Sequence, residues 1–301
     1  MNLSVEIAGV KFKNPVIAAS GTFNFGREYA GYYDISLLGG ISVKGLTREP
    51  REGNPPPRIA ETYGGILNSV GLQNPGIEYF IKYDLEQLKR FDTVIIANIA
   101  GNTVEDYRYM AERLSDTSVD MLELNISCPN VKAGGVQFGV IAESVYKVTY
   151  EVKKNSRKPL IVKLTPNTSD ISATAKAAEE GGADAVSLIN TLTGMAIDIK
   201  TRRPVLSNIT GGLSGPAIKP VALRMVYEAY KSVKIPVIGM GGIMNGDDAV
   251  EFMLAGAAAV QIGTANIINV SAMPEIISGL EKYLKDNKIE DVNKLTGALI
   301  I

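Results

Sequence analysis

The stretch Leu122–Gly135, LELNISCPNVKAGG, contains the single cysteine of the chain, Cys128, and the chain has no histidine. The commonest general base is therefore missing. A thiol, with an ordinary pKa of about 8.5, can take a proton from a carbon acid if its surroundings lower that value. Lone cysteines more often fill space as small hydrophobes. Cys128, however, stands among Asn125, Ser127, Asn130, Gly134 and Gly135, a polar and glycine-rich setting. Lys163 lies inside the apolar run LIVKLTP, where a charge is costly unless paired. It suits either a Schiff-base nucleophile or a cation held beside an electron-rich ring. Lys44, in SVKG, poses the same choice. Asparagine both donates and accepts, which suits amide and carboxylate recognition; Asn98, Asn125 and Asn190 recur at matching places, and LNSVGLQNPG adds Asn68, Gln73 and Asn74.

Three glycine-rich turns complete the inventory: GGLSGPAI (211–218), GMGGI (239–243) and IGTA (262–265). Glycine lets backbone N–H groups approach an anion closely, so these turns are candidates for binding a phosphate. The run Gly239-x-Gly241-x-x-Met244 lacks the third glycine of a dinucleotide fingerprint, which disfavours a Rossmann site.

These residues need elements to carry them. Eight short, mostly apolar runs recur: PVIAAS (15–20), GGISVKG (39–45), TVIIANIAG (93–101), DMLELNIS (120–127), PLIVKLTP (159–166), DAVSLINT (184–191), PVIGMGGI (236–243) and AAVQIGTA (258–265). Near-continuous hydrophobicity fits strands buried on both faces. Helical patterns lie between them. SDISATAKAAEEGGAD offers Ser169 or Asp170 as N-cap and Gly181–Gly182 as stop, and NGDDAVEFMLAGA repeats the plan, ending at Gly256. Strand–helix alternation predicts a parallel sheet. About eight units predict an α/β fold, a single (β/α)8 TIM barrel spanning 1–301. Lys44, Asn98, Asn125, Lys163 and Asn190 fall toward the C-terminal ends of their strands, the end where such barrels build active sites. The proline-rich 48–65 reads as a long excursion that covers the barrel mouth.

Composition removes several classes. The charge is −1 with no basic block, which argues against nucleic-acid binding. One cysteine permits no intrachain disulfide, no cysteine-built metal site and no iron–sulfur cluster, which needs about four thiolates. No apolar run reaches the roughly 18 residues of a spanning helix, and MNLSVEIAGVKFKNP does not read as a signal peptide. The expectation is a soluble, cytoplasmic protein that binds no metal.

Taken in order, AASGTFNFG, SVKGLT, NSVGLQNPG, IANIAG, LNISCPNVKAGG, VKLTPN, INTLTG, GGLSGPAI and GMGGI…QIGTA resemble dihydroorotate dehydrogenase over nearly the whole chain. Cysteine in the SCPN loop resembles class 1; the membrane-associated class 2 enzymes carry serine there and an N-terminal extension. CPNVKAGGVQFG is most similar to the NAD-linked class 1B catalytic subunit rather than to the fumarate-linked class 1A.

The resemblance implies FMN at the barrel mouth, contacted by Ser20, Lys44, Gly45, Asn98, Asn125, Lys163, Ile189, Gly215, Gly241, Gly242, Gly263 and Thr264. It implies a dihydroorotate/orotate site at Lys44, Asn68, Ser69, Val70, Gly71, Leu72, Asn125, Asn190 and Thr191. Dihydroorotate would lose a proton from C5 to Cys128 and a hydride from C6 to the flavin. The class 1B likeness further implies a partner electron-transfer subunit carrying FAD and a 2Fe–2S cluster, assembled as a heterotetramer around a catalytic homodimer. Competing readings are the class 1A enzyme, a phosphate-binding barrel lyase with Lys163 as Schiff base, and a non-catalytic binding protein.

Overall fold

The computed structural model describes residues 1–126 and 139–301. Eight parallel strands close into a barrel: β1 (Val16–Ala18), β2 (Gly40–Ser42), β3 (Val94–Ile99), β4 (Met121–Asn125), β5 (Leu160–Lys163), β6 (Ala185–Leu188), β7 (Val237–Met240) and β8 (Ala259–Ile262). Each pairs with its neighbours in chain order, and β8 returns to β1. All eight fall inside the eight apolar runs of the sequence. Both faces of these strands are covered, by helices outside and by side chains inside, so nearly every strand residue is buried.

Three of the outer helices begin at side-chain caps. Thr103 and Asp106 form a reciprocal capping box at Val104–Ser115. Asp170 caps Ile171–Glu180 by accepting from the Ala173 N–H at 2.9 Å, and Asn245 caps Gly246–Leu254 by accepting from the Asp248 N–H at 3.0 Å. Gly181 closes the first of the latter two; Gly256, at φ +120°, turns the chain after the second. At the opposite end of the barrel an antiparallel hairpin, Val5–Ile7 with Val10–Phe12, sets the buried Phe12 ring beneath Gly40 of β2.

The excursion after β2 does more than cover the mouth. Ile59–Thr62 and Gly65–Asn68 pair as a hairpin, which continues through Thr210–Ser214 to Leu192–Met195 as one four-stranded antiparallel sheet. Two distant loops are thereby joined over the C-terminal rim, an arrangement that the barrel periodicity alone does not disclose. Among the described residues no helix is long and apolar enough to cross a membrane.

Candidate active site

The floor of the mouth is polar. Glu123, in the middle of β4, is 0% exposed, and its carboxylate accepts four side-chain hydrogen bonds from four other strands. Ser42 Oγ (2.7 Å) and Asn98 Nδ2 (2.6 Å) donate to Oε2; Ser187 Oγ (2.8 Å) and Gln261 Nε2 (2.6 Å) donate to Oε1. Lys163 Nζ, on β5, lies 3.9 Å from Oε2 and is almost as deeply buried. Burial alone would raise the Glu123 pKa. The Lys163 ammonium and the hydrogen bonds from Ser42, Gln261 and Asn98 outweigh it and hold the carboxyl below the usual range. A charged pair thus sits in the barrel core, with Lys163 facing the cleft above it.

Above this floor opens a cleft lined by the ends of β2, β4, β5, β6, β7 and β8 and by the mouth sheet. One wall is built of glycine turns. Gly215, Gly241 and Gly242 all have positive φ (+105°, +123° and +79°). A Cβ at Gly215 would come 2.8 Å from Gly65 Cα, and one at Gly242 would come 2.9 Å from the Gly215 carbonyl oxygen. The turns pack against each other where no side chain fits. Behind them Lys219 Nζ contacts Asp248 Oδ1 at 2.6 Å and Glu251 at 3.1 Å, while Asp248 Oδ2 accepts from the Met244 N–H at 2.8 Å. The hydrogen bond to Asp248, joined by that to Glu251, raises the Lys219 pKa against partial desolvation. This network ties the turn after β7 to two helices. Thr264 Oγ1 donates to Ser214 Oγ at 2.8 Å, joining the turn after β8 to the same wall.

The opposite wall is the loop after β2. Asn68 Nδ2 donates to the Gly212 carbonyl at 3.3 Å, and left-handed backbone at Gly71 and Leu72 returns the chain along the cleft. Asn125 closes β4; its carbonyl accepts from Tyr107 Oη at 2.9 Å and its Nδ2 donates to Asn98 Oδ1 at 3.3 Å. Asn190 Oδ1 accepts from the Thr191 N–H at 2.8 Å.

Of the expected cofactor residues, Ser20, Lys44, Gly45, Asn125, Lys163, Ile189, Gly215, Gly241, Gly242, Gly263 and Thr264 all line this one cleft. Asn98 lies a layer deeper, fully buried, with its amide engaged by Glu123 and Asn125. Of the expected substrate residues, Lys44, Asn68, Val70, Gly71, Leu72, Asn125, Asn190 and Thr191 line it. Ser69 is fully buried next to the cleft-lining Asn68 and Val70, its N–H donating to the Arg58 carbonyl at 2.8 Å. Cys128 lies outside the described residues.

Sequence reasoning passed over Glu123 and Gln261. Each is a polar residue within an otherwise apolar strand run, the same signal that singled out Lys163. The residues present fit a flavin mononucleotide. A wall of close-packed glycine turns that leaves bare backbone along the cleft stands on one side, a buried lysine lies at the floor, and amide side chains stand opposite.

The family model described as Dihydroorotate dehydrogenase matches residues 2–284. The protein named dihydroorotate dehydrogenase B (NAD(+)), catalytic subunit, from Thermoanaerobacter pseudethanolicus is 60% identical to this chain over 299 residues, covering 99% of each. Its namesake from Alkaliphilus oremlandii is 60% identical over 298 residues, with the same coverage. Among solved structures, DHODH from Eimeria tenella in complex with ferulenol aligns with a TM-score of 0.83 at 24% identity, over 99% of this chain and 88% of that one, a likeness of fold.

Proposed function

The chain belongs to the dihydroorotate dehydrogenase family, and from that premise we infer that it is the catalytic subunit of the NAD⁺-linked enzyme, oxidising dihydroorotate to orotate in pyrimidine biosynthesis. The observation that carries this reading is the convergence of Lys44, Asn68, Asn125, Lys163 and Asn190 on one cleft beside the glycine turns.

Bound FMN supplies the acceptor for the hydride leaving C6 of the substrate. The protein's own residues do the rest. Gly215, Gly241, Gly242, Gly263 and Thr264 offer backbone to the phosphate. Lys163 provides a cation for negative charge on the ring, and Ser20, Gly45 and Ile189 complete the cofactor wall. Asn68, Asn125, Asn190 and Thr191 supply the donors and acceptors that a pyrimidine's amide edges and carboxylate require, with Lys44 as counter-charge. Cys128 takes the C5 proton, a role that a chain without histidine must give to another base. Ile126, next to Asn125, lies close to Gly139, where a Cβ would sit 2.8 Å from the Ile126 carbonyl. A Schiff-base reading of Lys163 is disfavoured by the ion pair with Glu123, which a nucleophilic amine would have to give up.

The relatives' designation as a catalytic subunit supports a partner. With one cysteine, this chain cannot hold an iron–sulfur cluster alone. The partner would carry FAD and a 2Fe–2S cluster, assembled in the cytoplasm as a heterotetramer around a homodimer of this chain. The test is anaerobic reduction of the FMN-loaded chain by dihydroorotate, followed by reoxidation. The isolated chain should pass electrons to artificial acceptors and reduce NAD⁺ poorly, and co-expression with the electron-transfer subunit should restore NAD⁺ reduction. NAD⁺ reduction at full rate by the chain alone refutes the two-subunit reading; efficient turnover with fumarate favours class 1A.

A further inference from the structure

The buried carboxylate beneath the cleft is larger in its demands than a structural role needs. A barrel interior is ordinarily filled by branched apolar side chains. Here five strands direct Ser42, Asn98, Lys163, Ser187 and Gln261 at one fully buried group on a sixth. A carboxylate only accepts, so each amide must turn its NH2 toward Glu123. Asn98 then points Oδ1 at Asn125, whose Nδ2 donates to it at 3.3 Å, which sets the amide orientation of a cleft residue. Gln261, which also lines the cleft, is left with a buried Oε1 that has no partner among the described residues. The 3.9 Å gap to Lys163 is longer than a hydrogen bond, so the ammonium is balanced by the carboxylate without spending its donors on it.

We propose that Glu123 is a positioning residue for the reaction: it fixes the orientation of the Asn98–Asn125 and Gln261 amides and acts as the counter-ion that sets how strongly Lys163 stabilises negative charge in the cleft. This rests on the flavoenzyme reading above. Glu123→Gln keeps the shape and removes the charge. A carboxamide NH2 on the Oε1 side can be accommodated by rotation of the Ser187 hydroxyl and a flip of the Gln261 amide, whose Oε1 is unpaired.

The experiment measures the midpoint potential of FMN bound to wild type, Glu123→Gln and Glu123→Asp, together with FMN affinity of the apoproteins and thermal unfolding. With the carboxylate gone, Lys163 acts unopposed, so the Glu123→Gln potential should rise. A unit charge acting across roughly 10 Å of protein changes the reduced-to-oxidised ratio about tenfold, which is about 30 mV for a two-electron couple. Glu123→Asp, which keeps the charge, should stay near the wild-type potential even where it melts earlier. A Glu123→Gln potential equal to wild type, an equal shift in both variants, or a Glu123→Gln chain that does not fold each overturns the proposal. Failure of the wild-type chain to bind FMN or to be reduced by dihydroorotate would instead overturn the underlying functional reading.

Discussion

Gly242→Ala tests the glycine wall where the geometry is tightest. Gly242 has φ +79°, and a Cβ there would lie 2.8 Å from Lys219 Cβ, 2.9 Å from the Gly215 carbonyl oxygen and 2.9 Å from the Lys219 nitrogen. Left-handed backbone costs a non-glycine residue about 1–2 kcal/mol. Overpacking against backbone, which cannot swing aside as a side-chain tip can, adds about 1–3 kcal/mol. The variant should therefore lose about 2–5 kcal/mol, and at about 2 °C per kcal/mol for a chain of this size it should melt roughly 4–10 °C lower. Any adjustment must move Gly215 or Lys219, so FMN affinity should also fall by about tenfold or more, equivalent to about 1.4 kcal/mol. Two controls separate the effects. A Cβ at Gly263 would meet only Ala19 Cβ, at 3.8 Å, but would project into the cleft. Gly263→Ala should therefore keep the wild-type melting temperature and lose FMN affinity. Gly31 has open space around its Cβ position and should tolerate alanine in both measurements. Calorimetry and fluorescence titration of the apoproteins with FMN provide the readouts. Wild-type affinity in Gly263→Ala would show that the glycine turns are not the cofactor cradle, and an unshifted melting temperature in Gly242→Ala would refute the steric argument.

Cys128→Ala should keep FMN yet slow its reduction by dihydroorotate about a hundredfold or more in stopped-flow at neutral pH; Cys128→Ser should be strongly impaired and recover partly at high pH, and near wild-type rates would exclude the thiol as base. Lys163→Ala should lower the flavin potential or the FMN occupancy, and borohydride treatment of the wild-type enzyme with substrate should leave no adduct on Lys163 in the mass spectrum. Asp84 is buried, with Arg27 paired to Oδ1 at 2.7 Å and Oδ2 unpaired among the described residues. Burial raises its pKa more than Arg27 lowers it. Its contribution to stability is therefore complete below the ordinary carboxylate range and is lost as pH rises through the raised folded value. Asp84→Asn should melt above wild type at pH 7, and the difference should vanish in acid; a pH-independent difference would refute the assignment.

The barrel was legible because its signal is local. Strands buried on both faces must be apolar throughout, and the interruptions at Lys44, Asn98, Asn125 and Lys163 fall within a residue or two of the C-terminal strand ends. Helix starts at Asp170 and Asn245 were readable from capping chemistry. The mouth sheet was not readable, because Gly65–Asn68 and Thr210–Ser214 are short, partly exposed and more than a hundred residues apart, and no periodicity reports a pairing at that distance. Glu123 escaped notice for a different reason. In LELNIS it resembles one polar position of an alternating strand, and only the closed barrel reveals that this position faces five polar side chains rather than water.

The four-stranded sheet over the rim also determines how this scaffold can be rearranged. Asn68 is opposite Gly212, and Leu67 is opposite Leu213. A slip of one residue would invert every side chain on the strand, exchanging cleft-lining Ile66 and Asn68 for the buried Leu67. The loop after β2 and the two strands that the chain between β6 and β7 gives to this sheet are thus a matched set, cut from separate parts of the gene and measured against each other in space. Grafting one of them from a relative without the other would splice a foreign ruler onto a native scale. The inheritable unit of the binding face is the pair, and recombination that respects strand–helix boundaries along the chain will still break it.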